Sequence, residues 1–364
     1  MIKTITIENY KSIRHLELDM KPINILIGAN GVGKSNFISF FKFLKNLLEQ
    51  HLQLYVAEEA GADNILYFGS KHSDFLQGYI EFEINSELTN AYLFKLSPDK
   101  ENEFYFENET AFFHDSSHYK KPYDISLGQG HRESKRNKES EQENIVFHVK
   151  EYMSSFKIFH FHDTSKTSGM RKPAKLDDNI FLREDASNLP AYLYWIQKKH
   201  PNIFKRIEMV IRSVAPYFEC FNLQPGRQNE DYIKLEWKEK GSDAYFNAKH
   251  LSDGTLRFIA LTTLLLQPKA PQTIIIDEPE LGLHPFAIDK LAALIKKASV
   301  NSQIIVSTQS VNLMNNFSPE DIITVDKKDN QSVFKRQNTE ELTDWLENYS
   351  IGDLWNKNVI GGRP

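Results

Sequence analysis

The stretch GANGVGKS, Gly28 to Ser35, follows the run INILI, apolar but for Asn24, and leads into SNFISFFKFLKNLLEQHLQLYV, whose apolar residues recur every three or four positions. The run reads as a buried strand, and the spacing after it as one long amphipathic helix. A glycine-rich turn of the form G-x-x-x-x-G-K-[ST] between such a strand and such a helix leaves few folds open. Its backbone N–H groups wrap an anion, and the positive end of the following helix points at the same place. The pattern assigns Gly28, Asn30, Gly31, Gly33, Lys34, Ser35 and Asn36 to a phosphate loop. Lys34 is expected to reach the β- and γ-phosphates of ATP, and the Ser35 hydroxyl to hold Mg²⁺.

The remaining chain continues the alternation of apolar strands and helices. PQTIIIDEPE, SQIIVSTQS and DIITVDKK each read as a buried strand, with the helix AIDKLAALIKKAS between the first two. KTITIE and RHLELDM alternate, and FLQGYIEFEI, AYLFKLS and NEFYFEN look like antiparallel strands. ASNLPAYLYWIQKKHPNIFKRIEMVIRSVAPYF reads as helices interrupted near Pro201. The expected class is α/β, a P-loop fold with a mixed, mainly parallel sheet, a helical sub-lobe and antiparallel strands. From about His114 the chain turns polar, and residues 114–144 read as a mobile insertion. The expected layout is a discontinuous nucleotide-binding core (1–113 and 247–340), a helical and strand lobe (145–246) and a C-terminal tail (341–364).

Bulk composition removes several alternatives. With 364 residues, 40% hydrophobic and 26% charged, the chain has the make-up of an ordinary globular protein of roughly two domains. Cys220 is its only cysteine, so an intrachain disulfide and a cysteine-based zinc site are excluded, which fits the cytoplasm. A net charge of -5 argues against a surface coated for nucleic acid. The first residues alternate like a strand instead of forming a signal peptide, and no apolar run approaches the ~18 residues of a membrane span.

Three further segments carry chemistry. TIIIDEPE places Asp277 at the C-terminal end of an apolar strand, where ligands bind in open α/β sheets. Asp277 is expected to hold Mg²⁺ through water, and Glu278 to orient or deprotonate an attacking water. LSDGTLR opens the apolar run FIALTTLLL, so Ser252 reads as the N-cap of a core helix. A helix N-terminus carrying a hydroxyl is also an anion site. ELGLHP, Glu280 to Pro285, follows the two acids, and Gln309 follows the strand QIIVST.

Together GANGVGKS, LSDGTLR, IIIDEPELGLHP and the N-terminal IENYKSI resemble the ABC-type ATPase heads of the RecF, SMC and OLD-nuclease group. They look most like the compact RecF/OLD-like AAA proteins. The likeness extends through FHFHDTS, NLPAYLYW and DWLENYSIGDLWNKNVIGGRP, and so covers nearly the whole chain. It implies a P-loop fold of ABC-ATPase type that closes head to head as a homodimer around two ATP–Mg²⁺. Ser252 and Gly254 would then touch the γ-phosphate of ATP held by the second copy, with Arg257, one turn further on, facing the same phosphates. ELGLHP resembles the D-loop, and His284 either approaches the partner's nucleotide or belongs to an N-cap before Pro285. Asp253 stands where transporters carry glycine. These families usually place a histidine after the QIIVST strand. Gln309 in that place donates a hydrogen bond but carries neither charge nor proton, so Glu278 and Gln309 are expected to support slow hydrolysis. Gln77 is a weak match to a Q-loop.

By the same resemblance, the expected partners are ATP, a second copy, a separately encoded nuclease- or toxin-like effector, and DNA or RNA. No coiled coil fits in the insertion. Only about fifty-five residues follow Gln309, too few for a nuclease domain. The chain reads first as an ATPase of a nucleic-acid-directed complex in DNA repair or antiviral defence. A nucleotide-gated scaffold with very slow hydrolysis is the second reading, and a transporter ATPase subunit the third. His160 and His162 share a strand face with Asp163 following, and read as packed or hydrogen-bonded instead of metal-binding. ESKRNK, QKKHPNIFKR and SGMRKPAK read as solvated surface.

Overall fold

The structure, a computed structural model, describes residues 1–135, 143–226 and 228–363. It divides into two compact units, Met1–Phe156 with Ser318–Pro364, and Lys157–Phe317.

The first unit opens with β1 (Ile2–Tyr10), β2 (Ile13–Asp19), β3 (Ile23–Ile27), α1 (Lys34–Leu48), α2 (Leu52–Glu58) and α3 (Ala62–Ile65). β4 (Leu76–Glu83), β5 (Leu88–Pro98), β6 (Phe104–Asp115) and β7 (Tyr123–Gly128) join β1 and β2 in an antiparallel sheet of order β2-β1-β4-β5-β6-β7, and α4 (Glu143–Ser154) follows. Buried aromatic rings fix α1. Phe40 meets Tyr10 edge-on at 5.1 Å, and Phe43 meets Tyr55 at 5.7 Å. Such pairs contribute on the order of 0.5–1.5 kcal/mol each beyond the area they bury. Gly78 makes room for them, since a Cβ there would lie 2.4 Å from the Phe94 ring. Gln77, its neighbour, is the second residue of β4, opposite Glu8 and Lys95, and is a sheet residue.

Two expectations for this unit change. The long helix predicted after the phosphate loop is two helices. Gln50 takes a left-handed φ of 63°, and the Glu133 carboxylate accepts the N–H groups of Leu52 and Gln53 at 2.9 and 3.0 Å, capping α2. The polar insertion predicted as mobile contains β7 and an anchored segment. Glu109 is fully buried, and its carboxylate collects donors from the insertion: Ser134 Oγ at 2.5 Å and His131 Nε2 at 2.7 Å. Tyr92 adds a third at 2.7 Å. A buried carboxylate needs such donors, and supplying them orders the loop. Residues 136–142 of that insertion, with the second half of the ESKRNK run, lie outside the described residues.

The second unit contains β8 (Lys157–Phe159), β9 (Ala174–Lys175), α5 (Leu189–Lys199), α6 (Pro201–Val214), β10 (Phe218–Phe221), β11 (Tyr232–Ile233), β12 (Glu236–Glu239) and β13 (Tyr245–Asn247). It continues with α7 (Asp253–Leu266), β14 (Thr273–Asp277), α8 (Pro285–Ala298), β15 (Gln303–Thr308) and α9 (Val311–Met314). β14 runs parallel to β8 on one side and to β15 on the other. α7 is buried from Leu256 to Leu266, as its continuous apolar sequence requires. Pro201 starts α6 at its first turn, where a missing N–H costs nothing.

The chain then returns to the first unit through β16 (Ile322–Lys328), β17 (Gln331–Arg336), α10 (Thr339–Leu346) and α11 (Ile351–Asn356). β16 lies parallel to β3 and antiparallel to β17. The division therefore differs from the expected one. Residues 247–317 group with the lobe, because β14 pairs with β8. The expected tail is part of the first unit: Leu342, Ile351, Leu354 and Ile360 are buried, and Ser350 and Asp353 form a capping box. Among the described residues no helix is long and apolar enough to cross a membrane.

Candidate functional site

In the first unit β3, buried throughout, delivers the chain into the phosphate loop. Close backbone approach dictates the glycines. A Cβ on Gly28 would lie 2.3 Å from the Val325 carbonyl oxygen, and one on Gly33 would lie 2.0 Å from Ser332 Oγ. Gly33 also has φ 116° and Gly31 φ 78°, both in the left-handed region. Lys34 is buried, and its Nζ donates to the carbonyls of Gly28 at 2.6 Å and Ala29 at 2.8 Å. Asn30, Gly31 and Ser35 are exposed at the loop surface. The Asn36 amide donates to Ser12 Oγ at 2.7 Å, Ser12 meets Ser332 Oγ at 2.6 Å, and Ser332 donates to the Val32 carbonyl at 2.6 Å. The IENYKSI turn, with Asn9 and Lys11 both left-handed, is thus strapped to the loop. A cavity of about 620 Å³ opens beside Ser12 and Asn36. Lys11, Glu59, Phe68 and Lys71 also line it, and Lys11 pairs with Glu59 at 2.8 Å. Phe68 is an exposed aromatic at φ 55°. Sequence reading missed this cavity because its walls come from turns with no shared pattern.

In the second unit Asp277 ends β14. Its Oδ1 is buried and has no hydrogen-bond partner. A buried anionic oxygen without a donor is costly, and a hard cation or its bound water satisfies it. The Asp277 carboxylate therefore fits Mg²⁺ as an oxygen donor. Glu278 takes φ 43°, a left-handed conformation that costs a non-glycine residue roughly 1–3 kcal/mol. Its carboxylate accepts a short hydrogen bond from the Gln309 amide. The two residues assigned to catalysis are thus joined. Glu280 was read only as part of the D-loop, yet its Oε1 accepts from Thr308 Oγ1 at 2.5 Å and from the Gln309 N–H at 3.1 Å, while its Oε2 is buried without a partner. Burial pushes the Glu280 carboxyl above its ordinary range.

Ser252 caps α7. Its Oγ accepts from the Thr255 N–H at 3.1 Å, and both Ser252 and Asp253 are exposed. Gly254 must be glycine because a Cβ there would meet the Gly282 carbonyl at 2.4 Å, so the serine turn and the ELGLHP turn are packed together. His284 caps α8, its Nδ1 accepting from the Phe286 N–H at 3.3 Å, and it is exposed.

Arg257 departs from its expected place. Only 4% of it is exposed, and its guanidinium donates to the carbonyls of Phe161 at 2.8 Å and His162 at 3.1 Å. It does not present its charge at the surface where Ser252 lies, because backbone carbonyls beneath the turn have engaged it. Arg171 also departs from expectation. Within SGMRKPAK, read as solvated, its side chain is 5% exposed. It donates to the carbonyls of Thr164 at 2.8 Å and Leu251 at 3.1 Å and pairs with Asp253 at 2.7 Å. Asp253 thus has a cationic partner from outside its own helix. The two histidines stand with ring centres 6.1 Å apart, and His162 Nε2 donates to the Asp277 carbonyl at 2.9 Å.

Residues 23–315 match the family described as "AAA domain, putative AbiEii toxin, Type IV TA system". ABC transporter A family member 11 of Dictyostelium discoideum is 36% identical over 101 residues, 27% of this chain and 12% of that protein, so the chain spans only a small part of that relative. Among solved structures, an SMC head bound to the C-winged helix domain of ScpA aligns over 94% of this chain and 99% of its own, with a TM-score of 0.60 and 17% identity. An SMC head with an extended coiled coil, bound to the C-terminal domain of ScpA from Pyrococcus furiosus, aligns over 95% and 98%, with a TM-score of 0.57 and 16% identity. The fold is that of an SMC-type head.

Proposed function

The chain belongs to this family of ABC-type ATPase domains, and from that premise we propose that it binds ATP with Mg²⁺, closes head to head with a second copy around two nucleotides, and hydrolyses them slowly. The closure gates a separately encoded effector that acts on nucleic acid in the cytoplasm. The observation that carries this reading is the Glu278 carboxylate held by Gln309, one residue from the unpartnered oxygen of Asp277.

Lys34 exchanges the carbonyls of Gly28 and Ala29 for β- and γ-phosphate oxygens, and the loop N–H groups surround the same charge. Ser35 and Asp277 hold the metal, and bound Mg²⁺ supplies charge neutralisation at the phosphate oxygens. Phe68 and Lys11 receive the base and ribose in the cavity beside Asn36. Glu278 accepts the proton of the attacking water through its second oxygen, the first being occupied by Gln309. The Gln309 amide occupies one of the two carboxylate oxygens, and it cannot carry the proton away. Slow turnover follows from both effects. Ser252 and the N-terminus of α7, exposed together, complete the nucleotide site of the second copy.

The test is phosphate release from ATP with and without Mg²⁺, alongside the mass of the Glu278→Gln protein with ATP. Metal-dependent release and a doubled mass are expected. A chain that binds no ATP analogue overturns the reading. The Gln309 contact also favours the second reading, a nucleotide-gated scaffold, and a turnover too slow to measure with intact ATP-driven dimerisation would select it.

A further inference from the structure

Resting on the reading of Asp277 and Glu278 as the metal and catalytic carboxylates, we propose that His162, held by Arg257, is a positioning residue: it clamps the peptide between them and so aims both side chains. The peptide is gripped from both sides. Its carbonyl, that of Asp277, accepts from His162 Nε2 at 2.9 Å, and its N–H, that of Glu278, donates to the Ser307 carbonyl at 2.8 Å. A carbonyl only accepts, so Nε2 of His162 carries the proton. A peptide fixed at both ends has one orientation, and Glu278 follows it at φ 43°. Unclamped, Glu278 would relax towards an ordinary negative φ and swing its carboxylate off the Gln309 amide.

Arg257 holds the clamp in place. It fixes the backbone carbonyls of Phe161 and His162, the segment that carries the imidazole. Its Nη1 would lie 3.1 Å from a Cβ on Gly282, so it also supports the turn against which Gly254 packs. A buried guanidinium whose hydrogen bonds go to neutral carbonyls, with the Asp253 and Glu280 carboxylates acting on its charge, still loses solvation that an aliphatic side chain would not. What the cation adds is one group that ties the end of the β8 segment to the first turns of α7. The Ser252 turn and the Asp277–Glu278 peptide are thereby linked through Arg257 and His162. Neither side chain needs to touch nucleotide or metal.

The experiment measures affinity for a fluorescent ATP analogue without metal and across a Mg²⁺ titration, in the full chain. His162→Phe removes the donor, His162→Gln keeps an N–H donor, and Arg257→Met keeps volume without the fork. His162→Phe and Arg257→Met are expected to leave metal-free binding within about twofold of the parent and to raise the half-saturating Mg²⁺ about tenfold. His162→Gln is expected to recover most of that shift. The double variant should be no worse than the worse single one, because both act on one peptide. An unchanged Mg²⁺ midpoint in both single variants overturns the inference, as does an additive double variant. If Arg257→Met fails to fold, the His162 pair decides alone. Lys34→Ala in the same assay separates the two levels: if it too leaves binding intact, the nucleotide reading fails, and if it abolishes binding while the His162 variants do nothing, only the clamp fails.

Discussion

The phosphate loop is shaped by collisions of backbone. Gly28 and Gly33 are required because any Cβ would strike Val325 or Ser332 within 2.3 Å, and Lys34 then points where the loop sends it. The Asp277–Gln309 region is shaped by side chains reaching across the chain, with Gln309 on Glu278, Glu280 on the Gln309 N–H, and His162 on Asp277. The first construction tolerates almost no substitution and has one sequence signature. The second rests on pairs of side chains, Gln309 on Glu278 and Arg171 on Asp253, each of which can be exchanged without a backbone collision. Binding is therefore expected to be all-or-none in mutation, and turnover and coupling to be graded.

The largest effect should come from Lys34→Ala. Losing the one buried cation of the loop is expected to lower affinity for a fluorescent ATP analogue by at least about a hundredfold, the scale of a lost charge-assisted contact to phosphate. Unchanged affinity would break the comparison at its firmer end. Next is Glu278→Gln, which keeps shape and the Gln309 neighbour but removes the base. Phosphate release should fall about a hundredfold or more while analogue binding stays within a few fold. Release at the parent rate would remove Glu278 from catalysis.

What could be read in the sequence follows the same divide. GANGVGKS, the strand TIIID and the helix cap at Ser252 were legible because each rests on local geometry that a short pattern records. The break at Gln50 was not, since the cap of α2 comes from Glu133, more than eighty residues away by sequence. The role of Arg257 was misread for a related reason. Helical spacing gives the side on which a residue starts, but a long guanidinium goes to the nearest unsatisfied carbonyls, here 96 residues distant. Arg171 carried no pattern of its own, and His162, read as packed or hydrogen-bonded, finds its partner in the carbonyl of Asp277 at the end of β14, the strand that β8 pairs with.

Ser252→Arg probes the graded end. It should leave analogue binding by the separate subunit nearly intact and abolish ATP-driven dimerisation in the Glu278→Gln background. Mixing Ser252→Arg with Lys34→Ala should recover part of the ATPase rate, because one of the two shared sites keeps both sound halves. Full activity from a strictly monomeric Ser252→Arg protein would reduce the turn to a helix cap. Gln309→His should change less: hydrolysis equal to the parent or a few fold faster, since imidazole can donate and also carry a proton. A collapse of ATP binding would mean that Gln309 holds the site together instead of limiting it.

The smallest effect expected is in Glu280→Gln, and it is one of stability against pH. Burial raises the folded-state pKa of this carboxyl above its ordinary 4.5. The folded protein therefore holds the proton more tightly than the unfolded chain does. Stability from this group is complete below the unfolded value and is lost as pH rises through the folded one. Where the pH exceeds that folded-state value, the wild-type protein carries a charge on a carboxyl whose Oε2 is buried without a donor. Glutamine keeps an acceptor for Thr308 and the Gln309 N–H and removes the charge. The variant should melt a degree or two higher at pH 7, on the order of 1 kcal/mol or less. That advantage should shrink as the pH falls towards 4, where the wild-type carboxyl is itself neutral. An advantage that persists unchanged into acid would assign the gain to packing. A variant less stable than wild type at pH 7 would mean that the charge on Glu280 is matched by donors, and that the side-chain-built region is as intolerant of exchange as the loop.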